Sequence, residues 1–454
     1  MNAPAPRNSA TSDNVSPAEA AAAALRTSAP YIRAHRGRTF VVHLPGEADD
    51  DAALTTLVED LALLSSLGVR LLLVLGARPQ IDYALATAGV ETPFVNATRV
   101  TSATALTEVV KAVGAHMINT EARLSRSVTQ TTLGGTGVAT TRGNFVVAKP
   151  LGIVDGVDHE HTGEVRRIDT DGINAALDGG QIVMVSALGY SPSGEIFNVL
   201  TEDLATLAAI ELGADKLVML HDGAALTERA PNVGRQLPTA NAESLAESEH
   251  DASIRTLLAH AAHACRGGVA RTHLVAFTDT DALLRELYSR DGAGTLVTAG
   301  GYDTIRTATP DDLTGILALI EPLAAAGVLV SRSREAIERD LAYYRVMARD
   351  GLITACAALV PYPDARATEL ACVAVHPDYR GQSRAAELLA RAEKETRESG
   401  FKQLFALTTR TPHWFIEHGF EKAGRDDLPA GRQALYNDQR NSAVLVKPVA
   451  TDTR

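Results

Sequence analysis

Short apolar runs alternate with helical stretches across residues 39–277, and this alternation constrains the fold more than any other feature. Thr39–Leu44 (TFVVHL) is β-branched and apolar and ends at Pro45-Gly46. Residues 54–67 carry helical periodicity and stop at Gly68; 69–75 (VRLLLVL) form a second apolar run ending at Gly76. A helix over 79–88 is stopped by Gly89, and a long helix is expected over 103–127. Ile182–Ser186 (IVMVS) and 216–220 (KLVML) flank a helix over 201–213, and 272–277 is a further strand. Runs without polar alternation are buried on both faces, which is the signature of a mostly parallel sheet sandwiched between helices. Residues 138–140 and 145–148 are expected to form a hairpin around Arg142-Gly143-Asn144. A helix begins at Ser16-Pro17, with serine as cap and proline in the first turn, and runs towards His35.

At 454 residues the chain exceeds a single ordinary core. Residues 293–304 (AGTLVTAGGYDT) hold three glycines and close the first alternation. A second pattern follows: a strand over 305–308, two helices, and strands over 353–360 and 369–375 separated by 361–363. A helix over 383–399, the strand Gln403–Thr408, a helix near 413–418 and a strand over 443–446 complete it. We therefore expect a Pro, Ala, Ser and Asn-rich tail over 1–17, an α/β domain over 18–298, a linker over 299–304 and an α+β domain over 305–454.

Charge and cysteine usage exclude several functions. The net charge of −12 opposes a nucleic-acid partner, because phosphate backbones need a basic face. The acid is unevenly placed: residues 301–454 carry 20 Lys and Arg against 21 Asp and Glu, so the C-terminal part is the less hostile to a polyanionic ligand. Three cysteines at Cys265, Cys356 and Cys372, an odd count without metal-ligand spacing, point to a reducing, cytoplasmic setting and no metal. No apolar run reaches spanning length, and the alanine run Ala20–Ala24 is helix-forming rather than a signal peptide, so no membrane partner is expected. His159 and His161 in DHEHTGE read as a solvated hairpin loop rather than metal ligands.

The most informative stretch is CVAVHPDYRGQSRAAELL, residues 372–389. A strand ends at His376-Pro377, a short turn carries Arg380-Gly381, and a helix follows. Such a unit aims free N–H groups and the positive helix end at one point, which suits a pyrophosphate. Ser383 and Ala385 permit close approach, and Arg380 and Arg384 add charge.

This stretch resembles motif A of the GNAT acetyltransferases, whose pattern is Arg/Gln-x-x-Gly-x-Gly/Ala. Arg380, the variable Gln382 and Ala385 match it, while Ser383 stands where glycine is usual. The resemblance extends through LVSRSRE (329–335), ELACVAVHPDYR (369–380), LFALTTRTPHWFIEHGF (404–420) and LYNDQRNSAVL (435–445) to the GNAT domain of the bacterial N-acetylglutamate synthases. It implies that acetyl-CoA is bound along Val373, Val375, Arg380, Gly381, Gln382, Ser383, Arg384 and Ala385. It also implies that L-glutamate is the acetyl acceptor. An α-amine is mostly protonated at neutral pH, so a base is needed; the resemblance gives that role to Glu369. Two carboxylates on the substrate call for guanidinium partners, and the resemblance supplies Arg332, Arg440 and Ser442, with Cys372 beside them. Tyr436 is a candidate acid for the leaving thiolate, and Thr408 follows a strand suited to lining the acetyl pocket.

Residues 30–300 resemble the amino-acid kinase fold, specifically acetylglutamate kinase, through GARPQID (76–82), RVTSATALTEVV (99–110), FNVLTEDLATLAAIEL (197–212), KLVMLHD (216–222) and LLRELYSRDGAGT (283–295). The implied fold is a three-layer α/β/α domain. A working kinase opens with Lys-x-Gly-Gly after its first strand; here the residues are His43-Leu44-Pro45-Gly46. Lysine is replaced, and proline has no N–H to offer a phosphate. Arg78 replaces a glycine of the second loop and Glu202 the catalytic aspartate, which together argue against phosphoryl transfer. In the resemblance the domain binds L-arginine as effector through Tyr31, Lys216, His273, Glu286 and Gly292, and the helix carrying Tyr31 links a homo-oligomer, a hexamer, together. Acetylation of another amine, an arginine sensor without activity, and a bifunctional synthase and kinase remain as alternatives.

Overall fold

The computed structural model describes residues 17–49, 51–96, 98–130, 139–222, 226, 235–289, 292–298, 304–349, 352–380 and 384–449. The chain divides into two compact units, Met1–Ala299 and Gly300–Arg454.

The first unit is built on an eight-stranded sheet. Its centre is the parallel set Arg271–Ala276, Lys216–His221, Thr39–Leu44, Arg70–Leu75, Ile182–Ser186 and Thr140–Arg142. Thr295–Thr298 then joins antiparallel beside Arg271–Ala276, and Gln236–Pro238 joins outside it. Thr39–Leu44 and Lys216–His221 are buried at every position, as their unbroken apolar runs require. Successive side chains leave by opposite faces. Val41, Leu72, Leu217 and Met219 therefore enter one core, with helices Thr170–Asp178, Thr201–Glu211 and Ala252–Arg266. Phe40, Val42, Leu71, Leu73, Val218 and Leu220 enter a second, with Pro17–His35, Asp51–Ser66, Arg78–Ala88, Ala103–Gln130 and Ala282–Tyr288. This is the expected three-layer α/β/α arrangement.

Two local expectations fail in this unit. Thr140–Arg142 does not pair with the next strand as a hairpin. It runs parallel to Ile182–Ser186 at the sheet edge, whereas Val146–Pro150 belongs to a small closed barrel with Thr162–Ile168, Leu188–Tyr190 and Ile196–Val199. Phe145, between them, packs against the first core, and the chain changes sheets there. His159 does not lie in a solvated loop either. It is 1% exposed, with its N–H donated to Gly152 O; exposed Glu160 is its solvated neighbour. Among the described residues no group of His, Cys, Asp or Glu has metal-binding geometry, and no helix is long and apolar enough to cross a membrane.

The second unit is a seven-stranded sheet in the order Thr304–Thr307, Tyr344–Arg349, Leu352–Tyr362, Ala367–Val375, Gln403–Thr408, Ala443–Pro448, Glu421–Ala423. All neighbours are antiparallel except Ala367–Val375 and Gln403–Thr408, which run parallel. The connection between those two is the helix Arg384–Glu398, as a parallel crossover requires. Leu388, Leu389 and Ala392 of that helix cover one face with Met347, Ala355, Leu404 and Leu445. Leu313–Ala325 and Arg334–Arg339 cover the other, packing on Tyr344, Val346, Cys356 and Cys372.

Candidate active site

Two irregularities in the central strand of the second unit make the site. The first is a bulge. Cys356 faces Ala374 and Ala358 faces Ala371, so Cys372 and Val373 together oppose Ala357 alone. Cys372 takes a left-handed backbone conformation, φ 51°, which a non-glycine residue adopts at some cost. A bulge turns peptide groups out of the ladder and re-aims side chains. The second is a parting of parallel strands. Ala367, Thr368 and Glu369 pair with Gln403, Leu404 and Phe405, and there the pairing ends. The two strands continue separately to Val375 and Thr408. Glu369 stands at the apex of the wedge.

Glu369 is 7% exposed. Its two oxygens accept from Arg432 Nε at 3.0 and 2.9 Å, and Oε2 also accepts from the Tyr362 hydroxyl at 3.2 Å. Arg432 lies on the one-turn helix Ala430–Gln433 and is steadied by donating to Leu435 O at 3.2 Å. Burial, and then the negative charge of Glu369, push the Tyr362 phenol up to about 12.

Arg332 sits half-buried, just before the helix Arg334–Arg339 capped by Ser333. Burial alone disfavours its charge, but Cys372, Tyr344, Glu369 and Asp340 outweigh it and hold the guanidinium protonated more firmly than usual. Cys372 is 8% exposed and its Sγ accepts from Tyr344 Oη at 3.8 Å. Burial pushes the thiol above its ordinary range despite the opposing pull of Arg332. A thiol so placed is a poor nucleophile at neutral pH. Arg332, Cys372 and Glu369 are thus brought together.

The remaining residues named from the sequence lie as follows. Arg440 donates to Val328 O at 2.7 Å, Leu329 O at 3.3 Å and Gly327 O at 3.4 Å, tying its loop to the turn just before Arg332. Tyr436 donates to Ser442 O at 2.8 Å under the Arg425 guanidinium; its hydroxyl proton is engaged in holding the loop closed. Thr408 Oγ1 accepts from the Thr411 and Arg410 N–H groups at 3.1 and 3.3 Å, capping the turn beyond its strand. Val373, Val375 and Ala385 are half-buried along the strand and helix of the crossover. Arg380 is exposed, while Arg384 is 5% exposed, stacked over Tyr379 at 4.7 Å and donating to its carbonyl at 3.3 Å. Gly381, Gln382 and Ser383 fall outside the described residues. Arg432 and Tyr362 were absent from the sequence reading, and no pattern in it marks them.

In the first unit, three of the five residues expected to hold an effector form one chain, and Gly292 packs against its end. Lys216 Nζ is 3.3 Å from His273 Nε2, and His273 Nδ1 is 2.6 Å from Glu286 Oε1. Glu286 Oε2 accepts from the Ala293 and Gly294 N–H groups at 2.7 and 2.8 Å. Gly292 has φ 64°, and a Cβ there would lie 2.5 Å from Glu286 Oε2. Burial opposes the Glu286 charge, yet His273 and the two amides win and bring its carboxyl down to about 2. Burial and Lys216 push the His273 imidazole below its ordinary value. Tyr31 is 6% exposed, in the same core, and reaches Lys216 through ring contacts of His35 and Phe40.

At the position where a kinase needs its lysine, His43 is 2% exposed and 3.0 Å from Thr201 Oγ1, which donates to Glu202 at 3.2 Å. Burial pushes this imidazole towards its neutral form. The two glycine loops also close on each other: a Cβ on Gly76 would lie 2.9 Å from Gly46 N, and Gln80 donates to Gly46 O at 2.8 Å.

The chain matches two families in sequence: the amino acid kinase family over residues 38–276 and the acetyltransferase (GNAT) family over residues 319–420. An amino-acid acetyltransferase of Ectopseudomonas mendocina is 49% identical over 423 residues, 93% of this chain and 98% of the relative. The crystal structure of N-acetylglutamate synthase from Neisseria gonorrhoeae, complexed with coenzyme A and L-arginine, matches with TM-score 0.82 at 34% identity, covering 94% of this chain and 99% of that one. The same enzyme complexed with coenzyme A and N-acetyl-glutamate matches with TM-score 0.60 at 35% identity over the same shares.

Proposed function

Because this chain belongs to the amino-acid acetyltransferase family, the bacterial N-acetylglutamate synthases with a kinase-like domain joined to a GNAT domain, we propose that it makes N-acetyl-L-glutamate from acetyl-CoA and L-glutamate. The observation that carries this is the buried carboxylate of Glu369 at the point where two parallel strands part. A flat acyl-pantetheine chain fits such a wedge, because peptide groups left unpaired by the parting are donors and acceptors for its amides. The Arg384–Glu398 helix, together with Arg380, takes the diphosphate end.

In the proposed reaction Glu369, acting through a water, takes one proton from the α-ammonium group. The neutral amine attacks the thioester carbon, the C–N bond forms as the C–S bond breaks, and the leaving thiolate takes up one proton as CoA. Arg332 and Arg440 receive the substrate carboxylates with Ser442; Arg440 must then exchange at least one of its carbonyl partners for a carboxylate oxygen. The raised thiol of Cys372 favours direct attack over an acetyl-enzyme. Thiol release from acetyl-CoA, measured with a panel of free amino acids, polyamines and peptide amines, tests the substrate. Glutamate should exceed every other amine by at least about tenfold in kcat/KM, and a polyamine or peptide at parity overturns the assignment.

The first unit is a regulatory domain in this reading. An L-arginine ligand needs an anion for its guanidinium and a cation for its carboxylate, and Glu286 and Lys216 supply both signs in one cluster. Arginine acts as a feedback inhibitor of the first step towards its own synthesis. His43, Pro45 and the closed glycine loops leave no cradle for ATP phosphates, and an ATP-dependent phosphorylation assay on N-acetylglutamate should show no turnover. The protein assembles as a homo-hexamer through the helix Pro17–His35; light scattering of a chain shortened by that helix should report a smaller particle.

A further inference from the structure

We propose that Arg432 is a positioning residue for acetyl transfer, the counter-ion that lets Glu369 remain an ionised base in a buried position; this rests on the reading of Glu369 as the base. A carboxylate removed from water without a partner is neutralised, and a neutral carboxyl accepts no proton. Glu369 is enclosed between Val360 and Phe405 on the neighbouring strands. Its nearest opposite charge is Arg432 at 2.9 Å, an ion pair in which the side chains are 18% and 9% exposed; Arg332 adds a second positive charge, and the Cys372 thiol and Tyr362 phenol also face it.

The geometry separates this from a general packing role. Arg432 Nε donates to both carboxylate oxygens at 3.0 and 2.9 Å, so its charge faces the whole carboxylate and not one oxygen. The Tyr362 hydroxyl takes the Oε2 side only. Gly431 lies against the Tyr362 ring, its Cβ position 3.8 Å from Cε1. The one-turn helix Ala430–Gln433 is held by Gln433 donating to Leu428 O at 2.8 Å and Asp426 O at 3.1 Å. Arg432 therefore reaches Glu369 from a braced loop 63 residues away in sequence. It also has a second acceptor in Leu435 O, so its charge keeps a partner when Glu369 picks up a proton. A base that has to charge and discharge in each turnover needs such a counter-ion.

The test is the pH dependence of kcat for the full-length enzyme and for R432Q, R432K and Y362F. An adjacent cation typically moves a carboxylate by about one to three pH units. R432Q should move the acid limb up by about one unit or more, with KM for glutamate altered less than about threefold. R432K, which keeps the charge but loses the bond to Leu435 O, should recover at least half of that shift. Y362F should move the limb in the same direction by less, and serves in place of R432Q if that variant does not fold. A uniform fall in kcat with an unmoved limb, or an effect on KM alone, overturns the proposal. E369Q, assayed in parallel, separates the premise from the inference: if E369Q keeps its rate, Glu369 is not the base, whatever Arg432 does.

Discussion

Two buried carboxylates, Glu286 in the first unit and Glu369 in the second, reach the same end by different means. Glu286 is held by an imidazole and by two main-chain amides of its own neighbouring loop. Among the described residues Glu369 is held by side chains, the phenol of Tyr362 seven residues away and the guanidinium of Arg432 sixty-three residues away. Main-chain donors cannot swing away, so Glu286 stays an anion down to about pH 2 and suits a permanent charge contact with a ligand. The donors of Glu369 are a charged guanidinium and a phenol that keep other contacts of their own, which suits the proposed base, a group that accepts a proton and returns it.

The sharpest way to break this comparison is E369Q. Loss of a general base typically costs about 10²–10⁴-fold in rate, and E369Q should show a fall of that order in steady-state thiol release at saturating glutamate. Next is E286Q, which removes the fixed anion. A hydrogen bond to a charged group is worth about 1.5–3 kcal/mol, so the arginine concentration for half effect should rise about tenfold or more. An unshifted arginine titration would remove Glu286 from the effector site. The same anion predicts an acid limb in stability. Its carboxyl is lowered on folding, so the contribution is full above the ordinary carboxylate range and fades as pH falls from about 4 towards 2. The thermal midpoints of wild type and E286Q should therefore differ at pH 7 and converge in acid.

Smaller effects follow for Cys372 and Tyr436. C372A should stay within about tenfold of wild type in kcat, since a buried neutral thiol is not a ready nucleophile; acetyl retained on the wild-type protein after mass analysis would reverse that conclusion. Y436F should lose about 0.5–1.5 kcal/mol of stability, the worth of one hydrogen bond, and less than about threefold in kcat. A hundredfold fall would restore the acid role read from the sequence.

What the sequence made legible follows from the same physics. Thr39–Leu44, Ile182–Ser186 and Lys216–His221 announce themselves because burial on both faces forbids polar residues. The barrel strand Thr162–Ile168 (TGEVRRI) does not, because half of it faces solvent and its alternation is broken by a bulge opposite Val147 and Ala148. Tyr344–Arg349 (YRVMAR) is hidden similarly by its two arginines. In the site, Glu369, Arg332 and Cys372 were named through a resemblance carried by a continuous motif. Arg432 was not, because its partner is set by how the 424–442 loop folds back, and a lone arginine between glycine and glutamine carries no periodic signal. The five residues to which the resemblance assigns an effector are scattered over 262 positions, from Tyr31 to Gly292, and only the resemblance joined them.

The parting of Ala367–Val375 from Gln403–Thr408 has one more consequence. In the proposed cofactor wedge the surface beyond Glu369 is largely polypeptide backbone, and backbone is common to nineteen of the twenty amino acids in its N–H and to all of them in its C=O. Replacement of a side chain there alters shape but deletes no contact point. Affinity for an amide-bearing ligand is accordingly resistant to mutational drift along these strands. Proline is the one substitution that erases a donor; because 370–375 and 406–408 also pair with Leu352–Tyr362 and Ala443–Pro448, a proline scan there reports on ligand contacts only at positions where the thermal midpoint is unchanged.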